Sequence, residues 1–200
     1  MATTTAKRPP NRWPALLDAA AAQFAGQGYH ATTIRDLATA AAMTPGAIYF
    51  FVPTKQALLL AVYEEGVQRI LQRVEAAVAG EARPWERLEK AVLAHLESVL
   101  DASAYARVVI RIVPGDVPEI AAAIIALRER YEDRFRRLFA DIALPPRHDA
   151  TLARLFLLGA INWTPVWYRA GGGHDLPAIA HELLAPLRAL VGRGPERSRP

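Results

Sequence analysis

Residues 33–55 read TIRDLATAAAMTPGAIYFFVPTK, and the folding of this stretch decides the architecture of the first part of the chain. Thr33 and Asp36 stand three apart ahead of an apolar stripe. The hydroxyl of one and the carboxylate of the other can reciprocally satisfy the free N–H groups at a helix start. Ile34, Leu37, Ala38 and Ala41 then recur at helical spacing. Ala42-Met43 makes a tight turn, Thr44 caps a second helix, Pro45 takes its tolerant first position, and Gly46-Ala47-Ile48-Tyr49-Phe50 follows. Pro53 closes that element and Thr54 caps the next. Two short helices across a tight turn form the unit that many proteins lay into a DNA groove. Many small helical proteins also contain such a pair without that use.

Working outward, helical spacing continues almost everywhere and no alternating strand is visible. The spacing predicts a first helix over 12–27, with Asn11 as cap, Pro14 in the first turn, Gly28 as stop, and Leu16, Ala20 and Phe24 facing inward. A long helix over 55–79 is stopped by Gly80, and others follow at 84–100 and 103–112. Asp116 and Glu119 form a second capping box that opens a helix reaching residue 141. After Pro145-Pro146 come helices at 147–168 and 176–191, joined through Gly171-Gly172-Gly173. The expected fold is all-α, with about nine helices. It divides into a basic arm (1–11), a three-helix DNA-binding unit (12–54), a helical dimerising and ligand-binding domain (55–191) and a disordered tail (192–200). The apolar run from Leu155 to Trp167 is too short for a bilayer and is broken by Asn162 and Pro165, so it reads as a buried helix. Pro165 frees the Ile161 carbonyl, which needs a side chain, water or ligand instead. Pro186 similarly interrupts the last helix.

Composition narrows the function. At 52% hydrophobic and 22% charged residues the chain can bury a core. Its net charge of +4 is uneven. Residues 1–55 hold five bases and two acids, whereas the rest holds nineteen bases and eighteen acids, so positive charge gathers in the first quarter. The absence of cysteine excludes disulfides, thiolate catalysis and Cys-based zinc sites. The opening MATTTAKRPPN lacks the apolar core of a signal peptide, so a cytoplasmic protein is expected, with no membrane partner.

The 16–62 stretch, LLDAAAAQFAGQGYHATTIRDLATAAAMTPGAIYFFVPTKQALLLAV, resembles the TetR repressor family. The resemblance is carried by Phe24-Ala25, Gly28-Tyr29, Thr32-Thr33-Ile34, Asp36-Leu37-Ala38, Gly46-Ala47-Ile48-Tyr49 and Thr54-Lys55 at uninterrupted spacing. It implies a dimeric repressor of a palindromic operator. Thr33 would offer a hydroxyl and backbone N–H groups to phosphate. Thr44, Pro45, Gly46, Ala47, Tyr49 and Phe50 would face the groove, Gly46 letting the helix approach closely. Lys55 would add a phosphate contact, and Arg8 and Arg12 of the arm would lie along the backbone or in a minor groove. Leu37, Ile48 and Phe51 are expected in the core. The chain departs from the family at Ala42, where the turn commonly has glycine, so the turn is reached without positive φ or under mild strain. Pro45 and Phe50-Phe51-Val52 also depart, replacing polar base readers and favouring thymine methyls.

Further on, SAYARVVIRIV, ALRERYEDRFRRLF and LGAINWTPVWYRAGGGHDLPAIA are similar to a TetR subgroup that regulates sterol and fatty-acid breakdown, some of whose members sense acyl-CoA thioesters. That likeness implies a homodimer through the last two helices and a cavity for an acyl-CoA or other amphipathic effector. Trp163 and Trp167, four apart beside Asn162, are candidate walls, and Arg169, Arg107 and Arg111 candidate phosphate partners. No cofactor or metal is expected. Three rivals stand beside this reading. The first is an enzyme, which the scattered His30, His95, His148, His174 and His181 do not support. The second is a sequence-independent DNA packager, and the third a repressor answering to a protein partner instead of a small molecule.

Overall fold

The computed structural model describes residues 12–101 and 103–192. Within them the chain forms nine α-helices and two 3-10 turns: α1 (Trp13–Gln27), α2 (Ile34–Ala40), α3 (Pro45–Ile48), α4 (Lys55–Val78), α5 (Pro84–Leu100), α6 (Ala104–Arg111), α7 (Ala121–Ala140), α8 (Ala150–Trp167) and α9 (Leu176–Gly192), with the turns at Pro114–Asp116 and Pro118–Ile120 before α7. The N-terminal arm with Arg8 and Asn11, and the tail from residue 193, lie outside the described residues.

Caps written in the sequence set most of these boundaries. Thr33 accepts from Asp36 N–H, and the Thr33 N–H donates to Asp36 Oδ2 at 2.8 Å. Thr44, Thr54, Ser103 and Asp149 cap α3, α4, α6 and α8 through their own oxygens. Two helices start three or more residues later than expected: α8, at Ala150 behind its Asp149 cap and not at 147, and α7. Asp116 turns back onto the N–H of Val113 at 2.8 Å and closes a 3-10 turn, so the paired prolines 114 and 118 delay α7 until Ala121. Ala42 adopts φ +50°, the left-handed region that costs an L-residue. Its carbonyl, and that of Ala41, accept from the Arg12 guanidinium, which braces the strained turn.

The core is built in two parts. One joins α1, α2 and α3 to the first half of α4 and to α6, through Leu16, Phe24, Leu37, Ile48, Leu59 and Val108. The other joins the far half of α4 to α5, α7, α8 and α9 through residues such as Leu88, Leu96, Phe135, Leu157 and Leu184. Helix α4 belongs to both. Gly66 brings α4 against α6 so closely that a Cβ there would sit 2.6 Å from Val109 Cγ2. Two polar bonds reinforce the α6–α1 contact: the Tyr105 hydroxyl donates to Asp18 at 2.8 Å, and Arg111 donates to the Ala25 carbonyl at 3.1 Å.

Helix α8 is not the buried helix its apolar run suggested. Leu157, Leu158 and Ile161 face inward, but Leu152, Leu155, Phe156, Trp163, Val166 and Trp167 face outward, Phe156 being 70% and Trp163 63% exposed. Within α8, the Ile161 carbonyl freed by Pro165 accepts from the buried Thr164 hydroxyl at 2.7 Å. Among the described residues no helix is long and apolar enough to cross a membrane.

Candidate DNA-binding surface and ligand cavity

At the tip of the N-terminal helices, α3 projects a face with few intramolecular commitments. Tyr49 is 53% exposed and Phe50 90% exposed, while Ile48 beneath them is fully buried and anchors the helix. A Cβ added to Gly46 would meet no atom within 4 Å, so packing inside the chain does not require glycine there. Thr44 and Pro45 are exposed and Ala47 is half-buried on the same element. Phe51, expected in the core, instead stacks on Trp13 at 5.9 Å and stays partly exposed, and Val52 fills the core position.

Three expected phosphate contacts have other commitments. Lys55 turns inward: its Nζ donates to the carbonyls of Thr32 at 2.8 Å and Tyr29 at 3.0 Å, and lies 4.3 Å from the centre of the Tyr29 ring. Desolvation pushes its pKa below the usual lysine value. It therefore locks the turn between α1 and α2, with two of its three N–H donors committed there. Arg12 is engaged with the turn at Ala42, and the Thr33 hydroxyl with Asp36. These hydrogen bonds hold the Asp36 carboxyl below its ordinary range.

In the second half of the chain, α4, α5, α6, α7 and α8 surround a cavity of about 270 Å³. Val67, Ile70, Val99, Val109, Ile110 and Leu158 form its apolar wall. Tyr63, His95, Arg128, Tyr131, Glu132 and Asn162 form the polar one. Of the candidate ligand residues, only Asn162 lines it. Trp163 and Trp167 project from the outer face of α8, because a step of one or five residues along a helix turns a side chain away from the position of Asn162. Arg169 bonds the carbonyls of Val166 and Tyr168 beyond the end of α8, Arg111 braces α1, and Arg107 is exposed.

His95 organises the polar wall. Its Nε2 is 3.0 Å from Asn162 Oδ1, which can only accept, so Nε2 carries the proton. Burial pushes the imidazole pKa down to about 4, so the ring is neutral, and Nδ1 accepts from the Tyr131 hydroxyl at 2.7 Å. Burial also raises the Tyr131 pKa, keeping that hydroxyl a donor. Opposite, Arg128 donates to the Tyr63 hydroxyl at 2.8 Å and to the Ile112 carbonyl at 3.2 Å. Sequence reasoning missed His95, Arg128 and Tyr131 because the site joins two helices far apart in sequence, α5 with His95 and α7 with the other two. Their four-residue helical offsets, as between Arg128 and Glu132, were visible but could not say which way α7 faced.

The N-terminal helices and the C-terminal helical domain are each matched by comparison with known proteins. Residues 16–62 match bacterial regulatory proteins of the tetR family, and residues 81–191 match the tetracyclin repressor-like C-terminal domain. The chain belongs to the tetR family of bacterial regulatory proteins. It is a helix-turn-helix transcriptional repressor of the TetR type, not an enzyme. It is 27% identical over 195 residues to the HTH-type transcriptional repressor KstR2 of Mycolicibacterium smegmatis, covering 92% of this chain and 93% of that protein. The crystal structure of the superantigen PfiT is 30% identical, with a TM-score of 0.76 over 89% of this chain and 97% of that one. The crystal structure of AibR in complex with isovaleryl coenzyme A and operator DNA shares the fold at 24% identity, with a TM-score of 0.73 over 87% of this chain and 96% of that one.

Proposed function

We propose that this TetR-type repressor is a cytoplasmic homodimer that binds a palindromic operator and is released by an amphipathic effector, an acyl-CoA being the first class to test. The observation that carries the reading is the double membership of α4 and α6. Tyr63 and Val67 of α4 and Val109 of α6 line the cavity, while the same two helices pack against α1 of the DNA-binding unit. Any ligand that moves α4 or α6 changes the presentation of α3, and differential affinity for the two states suffices for coupling, typically ~1–3 kcal/mol. AibR, a regulator of the same fold, has been crystallised with both isovaleryl coenzyme A and operator DNA, which motivates the thioester.

The outward face of α8 is the proposed dimer surface, continued by α9. Exposed aromatic and aliphatic side chains this dense are uncommon on monomers, and a two-fold partner spaces two α3 helices for two half-sites. At the DNA, Phe50 and Tyr49 are the proposed readers, Phe50 against thymine methyls. A cavity of about 270 Å³ holds only the acyl part of a thioester and leaves the coenzyme outside.

Selection of bound sequences from random DNA, followed by footprinting and then by release with acyl-CoAs of graded chain length, tests the proposal. A protected palindrome freed by one chain-length window is expected. Protection without any symmetric sequence, or release by none of the series, contradicts the operator and effector assignments respectively.

A further inference from the structure

Helix α7 carries five arginines between residues 128 and 137, and four have a carboxylate within ion-pair distance. Arg130 lies 3.9 Å from Glu64, Arg134 2.7 Å from Glu75, and Arg136 and Arg137 both pair with Asp133. Arg128 has no carboxylate at ion-pair distance among the described residues, and it is the one that lines the cavity. Its two partners, the Tyr63 hydroxyl and the Ile112 carbonyl, are neutral acceptors. They orient the guanidinium without cancelling its charge.

Nothing else in the wall cancels it. Glu132 faces the same space, but its Oε2 accepts from the buried Arg154 at 2.8 Å, so its charge is matched by that cation. His95 is neutral, and its bonds occupy the Tyr131 hydroxyl and the Asn162 oxygen. A half-buried cation thus sits uncompensated beside the apolar floor of Val67, Ile70 and Val99. Guanidinium matches carboxylate in a planar, two-pronged bond, and partial desolvation strengthens that bond.

We infer that the cavity binds its ligand through a carboxylate seated on Arg128, with the ligand's apolar body on Val67, Ile70 and Val99. The carboxylate comes either from a free acid or from the far end of a diacid thioesterified outside the cavity. Arg128 is also where occupancy reaches DNA. Tyr63 lies in α4 and Ile112 ends α6, so a carboxylate competing for the guanidinium weakens the ties that hold both helices to α7.

The inference rests on the cavity being the effector site, and one experiment separates the two. Full-length protein is titrated calorimetrically, and its operator complex challenged, with octanoate, octan-1-ol, octanoyl-CoA and the mono-CoA thioester of suberic acid. The expected result is at least ~10-fold tighter binding of octanoate than of octanol, or of the suberic over the octanoic thioester. The first preference identifies the free acid and the second the diacid. Arg128→Gln brings the preferred ratio close to one, and Arg128→Lys retains part of it. Tyr63→Phe keeps ligand binding but weakens release. If neutral and acidic probes bind wild-type protein alike, or Arg128→Gln keeps the preference, the carboxylate is wrong while the effector site stands. If no probe binds or releases, both readings fall. Should Arg128→Gln not fold, the wild-type acid-to-alcohol ratio decides.

Discussion

The DNA-binding end and the cavity end of α4 treat charge and apolar surface in opposite ways. At the first end Lys55 and Arg12 are tied to backbone carbonyls, Lys55 on Thr32 and Tyr29 and Arg12 on the Ala42 turn, while Arg35 and the aromatic rings stand in solvent. At the second the apolar side chains line an internal wall, and the unneutralised group is a cation, Arg128. A formal charge therefore marks neither surface by itself. What marks a surface for a partner is a group whose requirement the chain leaves unmet: exposed rings at α3 and on α8, an unpaired guanidinium in the cavity.

The sharpest way to break this contrast is to charge the outer face of α8. Phe156→Glu with Trp163→Glu should give a folded monomer whose operator affinity falls by ~1000-fold, toward non-specific binding, measured by sedimentation and gel shift. A dimer that persists would move the interface elsewhere. Leu183 and Leu187, whose apolar spacing on α9 recommends them for the same test, are unsuitable, since Leu187 is buried in the core beside Leu184 and Leu183 packs against it half-buried, so charges there would also cost stability.

The next effect is on the cavity's polar wall. His95 has a folded pKa of about 4 against 6.5 for an unperturbed imidazole. Between these values the unfolded chain binds a proton that the folded one does not. Stability is therefore full above pH 6.5 and falls as the pH drops toward 4, by up to about 3 kcal/mol. Denaturant melts at stepped pH should show this slope flattened in His95→Gln.

Two substitutions at the DNA end sharpen the division between its cations and its rings. Lys55→Met should cost about 1–2 kcal/mol of stability, because two carbonyls lose a charged donor, and should leave the salt dependence of operator binding unchanged. Phe50→Ala should leave the melting temperature unchanged and weaken operator binding roughly tenfold, about 1.4 kcal/mol. A salt slope reduced by one counterion in Lys55→Met would return that residue to the phosphate backbone. The smallest effect is at the strained turn. Ala42→Gly should gain about 0.5–1 kcal/mol in thermal unfolding, since glycine accepts φ +50° without strain.

Legibility followed the range of the interactions. The capping pair Thr33–Asp36, the caps at Thr44 and Thr54 and the stop at Gly28 act over a few residues, so sequence placed them well. Phe51 was misjudged because the choice between Phe51 and Val52 as core residue depends on Trp13, far away in sequence. Trp163 and Trp167 are candidate cavity walls by their spacing beside Asn162 and by the family likeness, but of the three only Asn162 faces the cavity. The bonds that define the wall, such as His95 to Asn162 and Arg128 to Tyr63, join residues more than sixty positions apart.

By itself the sequence determined the all-helical fold, the helix-turn-helix and its family, because helical period and end-capping are local chemistry. It also held the aromatic surplus of α8 without saying whether that surplus was core or surface. Tertiary structure alone decided the rest. It turned Lys55 and Arg12 onto backbone carbonyls, rotated α8 so that one stripe packs and the other stays exposed, and set Arg128 in the cavity without a carboxylate. Each depends on the rotation of one helix about its axis relative to another, and that rotation is fixed by packing across the core, not by any local run of residues.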